Sequence, residues 1–166
     1  MGCEMKDKYT YVRLLNLYCM SISFKVQGKP PKKDGSSSMW GKKSEASNIV
    51  NLRNAAIKAR EGQNIGLLSS RICIDLTIYA NEKEIESMGD LDNFVTGICD
   101  SLQAADPRAN MQDFIQKECI VNPLQPVLFY TDAKVFEINA KKIPIKGNNG
   151  YYEVMIKELT DGGCRG

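Results

Sequence analysis

Asp90 and Asp92 stand two residues apart in the stretch GDLDN, behind a glycine and ahead of an apolar run. In an extended segment such a pair shares one face, with Cα atoms about 6 to 7 Å apart, so both carboxylates can address a single point. Magnesium takes oxygen ligands, commonly one or two carboxylates with waters completing an octahedron. The same acids also suit a helix N-terminus, where they cap free amides and oppose the dipole for about 0.3 to 1 kcal/mol each. Glu82, Glu84 and Glu86 precede the pair, so five carboxylates face only Lys83 between residues 82 and 92. A bound divalent cation would relieve that repulsion. The opposite charge collects between Lys25 and Lys43, where six lysines face only Asp34.

The rest of the composition narrows the chemistry. The chain has no histidine, which removes Ser-His-Asp and Cys-His catalysis and the commonest zinc sites. Six cysteines are scattered without any C-x-x-C spacing, so reduced thiols acting as small apolar groups are expected. No apolar run approaches the roughly 18 residues that span a bilayer, and the first residues carry charge where a signal peptide needs an apolar stretch. The expectation is a cytoplasmic protein with no membrane contact. A length of 166 residues, 43% hydrophobic and 25% charged, suits one folded domain over residues 1–166.

The elements that must position the acids follow from periodicity. Met20, Ile22, Phe24 and Val26 alternate with polar residues and predict a strand. The preceding segment, YTYVRLLNLY, has no clean period and belongs to an N-terminal extension over 1–17. The loop GKPPKKDGSSSMWGKK follows, and Ser44 is expected to cap a helix reaching about Glu61. Ile49, Leu52, Ala56 and Ala59 share one face of that helix, with Arg53, Lys58 and Arg60 on the other. Ile72, Ile74, Leu76, Ile78 and Ala80 mark the clearest strand. It leads through the acidic stretch to a helix over Asn93–Gln103, capped by Asp92 or Asn93 and with Phe94, Ile98 and Leu102 on its buried stripe. An insertion of about 105–124, with a short helix in MQDFIQKE, precedes strand-like blocks at Val127–Tyr130 and Lys134–Ala140. A hairpin turning at Gly147–Gly150 closes the chain, and the tail TDGGCRG is expected to fray. The fold class is α+β, a small mixed sheet with helices packed on one face, in the order β-α-β-α-(insertion)-β-β-β.

The blocks GDLDNFVTGICDSL and YTDAKVFEINAKKIPIKGNNGYYEVMIKEL together resemble the RusA-like Holliday junction resolvases. The resemblance spans about Met20 to Leu159 and is strongest in those two blocks. It implies three catalytic aspartates, with Asp90 and Asp92 matching the first two and Asp132 the third, as ligands of Mg2+, for which Mn2+ can substitute. Lys142 with Pro144 falls where the family's strand ends in a lysine. The family's lysine six positions after the first aspartate is here Thr96. Lys134, two residues beyond Asp132 and on the same side of an extended strand, is one substitute and Lys142 another.

What this implies is a structure-selective, metal-dependent endonuclease that resolves four-way DNA junctions by paired phosphodiester hydrolysis, acting as a homodimer in recombination and repair. A C2 dimer matches the two-fold symmetry of the junction. An acidic pocket repels DNA, so lysines and arginines must surround it: Lys29, Lys32, Lys33, Lys42, Lys43, Arg53, Lys141 and Lys142 are the expected phosphate contacts. Trp40 either stacks on a base or folds back onto the core. The alternative is a branched-DNA binding protein of the same fold that cleaves weakly or not at all because Thr96 replaces the lysine.

Overall fold

The computed structural model describes residues 20–159, so the N-terminal extension over 1–17 and the tail TDGGCRG lie outside the described residues. Four strands and three helices follow in order: β1 (Ser21–Gln27), α1 (Lys43–Gly62), β2 (Ile72–Asn81), α2 (Leu91–Leu102), α3 (Asp113–Glu118), β3 (Val135–Ile145) and β4 (Tyr151–Glu158). The fold is α+β, with one mixed sheet ordered β1-β4-β2-β3. β4 runs antiparallel to both β1 and β2, whereas β3 runs parallel to β2.

Alternation decides which face of the sheet is covered. Ile22 and Val26 of β1, Ile72, Ile74, Leu76 and Ile78 of β2, and Tyr152, Val154 and Ile156 of β4 are all buried in one cluster. Leu52, Ala56 and Ile57 of α1 and Phe94, Ile98 and Leu102 of α2 close it from above. The residues between them on the strands point the other way, and Ser21, Ser23, Lys25, Glu153 and Met155 are exposed. Helices therefore cover one face and leave the other open, as half-buried strands require.

Two details of the expected order change. Val127–Tyr130 is no strand of the sheet. Val127, Leu128 and Phe129 are fully buried, with a lone bridge from Leu68 to Phe129, and three consecutive buried residues cannot alternate. Lys134–Ala140 and the first arm of the hairpin are instead one continuous strand, β3, so two strands rather than three close the fold. The insertion is structural: Ala105 and Ile115 join Met39, Trp40, Ala46, Ile49 and Val50 in a second small core on α1. Ser44 sits inside α1, whose cap position is Lys42.

Candidate functional site

The acidic pair sits at the start of α2. Asp90 is the cap residue, with extended backbone (φ −84°, ψ 149°), and Asp92 lies in the first helical turn. Only Asp90 is extended, so the shared face expected of an extended pair is lost, because residues two apart on a helix do not face each other. Both carboxylates are exposed. Thr96 turns its hydroxyl back to donate to the carbonyl of Asp92 at 2.8 Å.

Two lysines flank the pair from other elements. Lys142 of β3 is half-buried on the helix side of the sheet and donates from Nζ to the carbonyls of Ile85, at 3.3 Å, and Gly89. Lys32 approaches from the loop after β1: were residue 89 to carry a Cβ, the Lys32 Cδ and Nζ would lie 3.0 and 3.1 Å from it. Gly89 also has φ +124°, a conformation that L side chains rarely adopt.

The Lys32 segment is laid along α2. A Cβ on Gly97 would stand 2.2 Å from the Pro31 carbonyl oxygen, so glycine alone permits this approach. The Lys33 amide donates to Asn93 O at 3.1 Å, and the Lys32 amide donates to Glu45 Oε2 at 2.9 Å. Lys32 Nζ pairs with Asp34 at 3.0 Å and Lys33 Nζ with Asp100 at 2.8 Å. Lys29 and Lys43 are exposed, and Lys42 donates to Asp34 O at 3.0 Å. A cleft lined by Gln27, Lys29, Asn81, Glu84 and Asn149 opens beside the acidic loop.

Asp132 lies at the other end of α2. Its backbone amide donates to Gln103 Oε1 at 3.3 Å, and Gln103 is the residue that ends the helix. Its carboxylate, after burial, is the next cause that pushes the Cys99 thiol up to about 12, with Asp100 adding to it. The twelve residues of α2 make the helix about 18 Å long, which separates Asp132 from Asp90. The sheet gives the same answer: Val135 pairs with Ile72 at one end, whereas Lys142, the lysine at Gly89, pairs with Ile78, about 23 Å further along. The three aspartates expected to meet are not brought together within one chain. Among the described residues no three His, Cys, Asp or Glu side chains gather closely enough to hold a metal ion. Asp90 and Asp92 are left as two exposed carboxylates at the start of α2. A centre made of Asp90, Asp92 and Asp132 does not fit a single chain.

Three further expectations, for Lys134, Arg53 and Lys141, are corrected, and the open alternative for Trp40 is decided in favour of the core. Asp132–Lys134 is a 3-10 turn, in which the Lys134 amide returns to Thr131 O at 3.3 Å, so Lys134 and Asp132 do not share an extended face. Arg53 is 1% exposed and cannot reach a phosphate. It donates to four carbonyls, those of Ser101, Gln103, Asn122 and Gln125, at 2.6 to 3.3 Å, and so ties α1 to the end of α2 and to the insertion. Its position four residues after Ile49 was the signal for burial. Trp40, 4% exposed, folds into the second core with the Arg53 guanidinium 5.5 Å from its ring. Lys141 projects onto the open sheet face, opposite to Lys142, because neighbouring strand residues alternate.

Glu45, Gly89, Gly97 and Asp100 are the site residues that sequence reasoning missed. A glycine in the middle of an otherwise regular helix, as at Gly97, is the usual sign that another backbone comes close. No family model matches the chain, and no curated protein matches it. Among the described residues no helix is long and apolar enough to cross a membrane.

Proposed function

We propose that this chain is a Mg2+-dependent endonuclease domain for branched DNA that completes its acidic site as a C2 dimer. The observation that carries this reading is the outer edge of β3, which no other described strand covers. Among the described residues β3 has β2 as its only neighbour, and Glu137 and Lys141 stand symmetrically about Asn139. Antiparallel pairing of two β3 edges about Asn139 sets each Glu137 opposite the partner's Lys141, an arrangement worth about 0.2 to 1 kcal/mol per pair. The same pairing sets Ile143 opposite the partner's Val135. The partner's Asp132 then arrives at the end of the sheet where Lys142 touches Gly89. Exposed Phe136 and Ile138, at 60% and 48%, would gain cover at that edge.

In this arrangement Asp90, Asp92 and the partner's Asp132 would hold the ion, which when bound activates water and neutralises charge on a phosphodiester. The chain's own residues do the rest. Lys142 fixes the backbone of Gly89 and hence the direction of Asp90. Lys29, Lys32, Lys33 and Lys43 attract the strand electrostatically. Two sites related by a two-fold axis suit the paired cuts that a four-way junction demands.

The test incubates purified protein with a synthetic mobile four-way junction, or a matched linear duplex, in Mg2+ or Mn2+. Junction-selective nicking that is lost in Asp90→Asn and in Asp132→Asn, and restored when the two variants are mixed as heterodimers, supports the reading. Such mixing leaves one site per dimer intact only if the carboxylates come from both subunits. Junction binding without nicking in either ion favours the branched-DNA binding protein, a reading that the Thr96 hydroxyl and the separated aspartates support. Absence of binding at about 50 mM salt, where phosphate contacts are strong, removes both.

A further inference from the structure

Asp90 and Asp92 present two negative charges where a phosphate must arrive, so a cation from the chain itself has to stand beside them. Lys142, one of the two substitutes expected from the sequence, touches Gly89, yet its Nζ is already committed to two carbonyls, those of Ile85 and Gly89. Lys33 points to Asp100, near the far end of α2, in a bridge of 2.8 Å. Lys32 alone combines proximity with freedom. Its Nζ comes within 3.1 Å of the position that a residue-89 Cβ would take, one residue before Asp90, and among the described residues its ion pair is with Asp34, whose side chain is 51% exposed.

We infer that Lys32 is the phosphate-contacting amine of the Asp90 site, held in reserve by Asp34 and delivered when a nucleic-acid phosphate displaces that carboxylate. The ligand class is a phosphodiester oxygen, and the inference rests on the reading of this site as a nuclease centre. The backbone around Lys32 is made for the role. Its amide is anchored by Glu45 at 2.9 Å, and Gly97 lets residue 31 sit against α2. The missing side chain at Gly89 leaves the space through which the lysine stem passes. An ion pair open to solvent on its carboxylate side, as Lys32–Asp34 is, is weak, so exchanging one anion for another costs little.

Three variants of the full chain test this: Lys32→Met, Lys32→Arg and Asp34→Asn, with Lys33→Met for comparison. Junction binding is measured in Ca2+ over a range of salt, and nicking in Mg2+. Lys32→Met should flatten the slope of log affinity against log salt by about one and lower kcat by about 100-fold, with Lys32→Arg recovering part of both. Asp34→Asn, by freeing the amine, should raise affinity and kcat, a gain that a merely structural lysine would not give. Lys33→Met should flatten the salt slope but spare kcat. Unchanged slope and kcat in Lys32→Met, with wild-type protein nicking normally, overturns the inference and leaves the nuclease reading standing. If wild-type protein binds but never nicks, the nuclease reading falls, and an unchanged salt slope in Lys32→Met then overturns the lysine as well. If wild-type protein fails to bind, both fall together.

Discussion

Replacing Gly97 by alanine asks whether the lysine segment is held by the helix beneath it. The added Cβ would stand 2.2 Å from the Pro31 oxygen, 2.7 Å from the Pro31 carbonyl carbon and 3.0 Å from the Lys32 nitrogen. Carbon and oxygen rest no closer than about 3.3 Å, so the Pro31 backbone has to withdraw by about 1 Å. Neither the Lys33 amide bond to Asn93, at 3.1 Å, nor the Lys32 amide bond to Glu45, at 2.9 Å, survives that shift. Two lost hydrogen bonds cost about 2 kcal/mol together, and overpacking adds about 1 to 3 kcal/mol. Alanine in a helix interior returns about 1 kcal/mol, leaving a net loss of about 2 to 4 kcal/mol. Urea unfolding followed by circular dichroism measures this as a lower midpoint at unchanged slope. Gly62→Ala is the control: no atom lies within 4 Å of its added Cβ, and it should be neutral or stabilising by up to about 1 kcal/mol. A Gly97→Ala protein within about 0.5 kcal/mol of wild type, the scatter of ordinary surface changes, would refute the claim that this approach orders the segment.

Other expectations follow from the same contacts. Arg53→Met, which takes the donor away from four carbonyls and leaves that of Ser101 stranded in the core, should cost about 3 kcal/mol or more while leaving the salt slope of junction binding unchanged; a flatter slope would return Arg53 to the phosphate contacts. Burial first, and then Asp132 and Asp100, raise the Cys99 thiol from 9.0 to about 12, so its contribution to stability is whole below pH 9 and lost as pH climbs towards 12. The midpoint gap between wild type and Cys99→Ala should therefore be narrower at pH 11 than at pH 8, and a constant gap would contradict this. Lys141→Glu alone, or Glu137→Lys alone, should weaken the dimer in sedimentation, and combining them should restore it; equal association of all three would exclude the β3 edge. Thr96→Lys adds an amine one turn beyond Asp92 and should raise the nicking rate unless Lys32 already supplies that charge, in which case the rate stays level.

Elements with a strict local period were legible in the sequence, and residues whose role depends on a distant neighbour were not. Ile72, Ile74, Leu76 and Ile78 alternate in the sequence and all lie buried on one face. The apolar stripe of α2 is buried as its spacing requires, with Phe94, Ile98 and Leu102 at 0 to 2% exposure. Val127–Phe129 misled because a short apolar run suits a strand and a buried irregular segment equally. Arg53 was assigned to solvent by residue type, although its helical spacing from Ile49 and Ile57 puts it on the core face; nothing in the local sequence reveals the four carbonyls that await it. Lys32 and Lys33 read as equal charges in a polar loop, and only the path of that loop over Gly97 turns one towards Gly89 and the other towards Asp100.

The separation of Asp132 from Asp90 follows from topology rather than from side-chain detail. The acidic pair comes after β2 and the third aspartate comes just before β3, and these two strands run parallel. Parallel strands begin at the same end of a sheet, so a residue that follows one and a residue that precedes the other occupy opposite ends, whatever helix crosses between them. No rotamer change in a single chain can bridge a gap of about 20 Å, which is several side-chain lengths at about 3.3 Å per extended residue. An antiparallel neighbour on the edge of β3 that no described strand covers would reverse the direction and bring a third carboxylate to the end that holds the first two. If the three aspartates act together at all, they act between subunits, and Asp90→Asn mixed with Asp132→Asn is the experiment in which one active site per dimer must return.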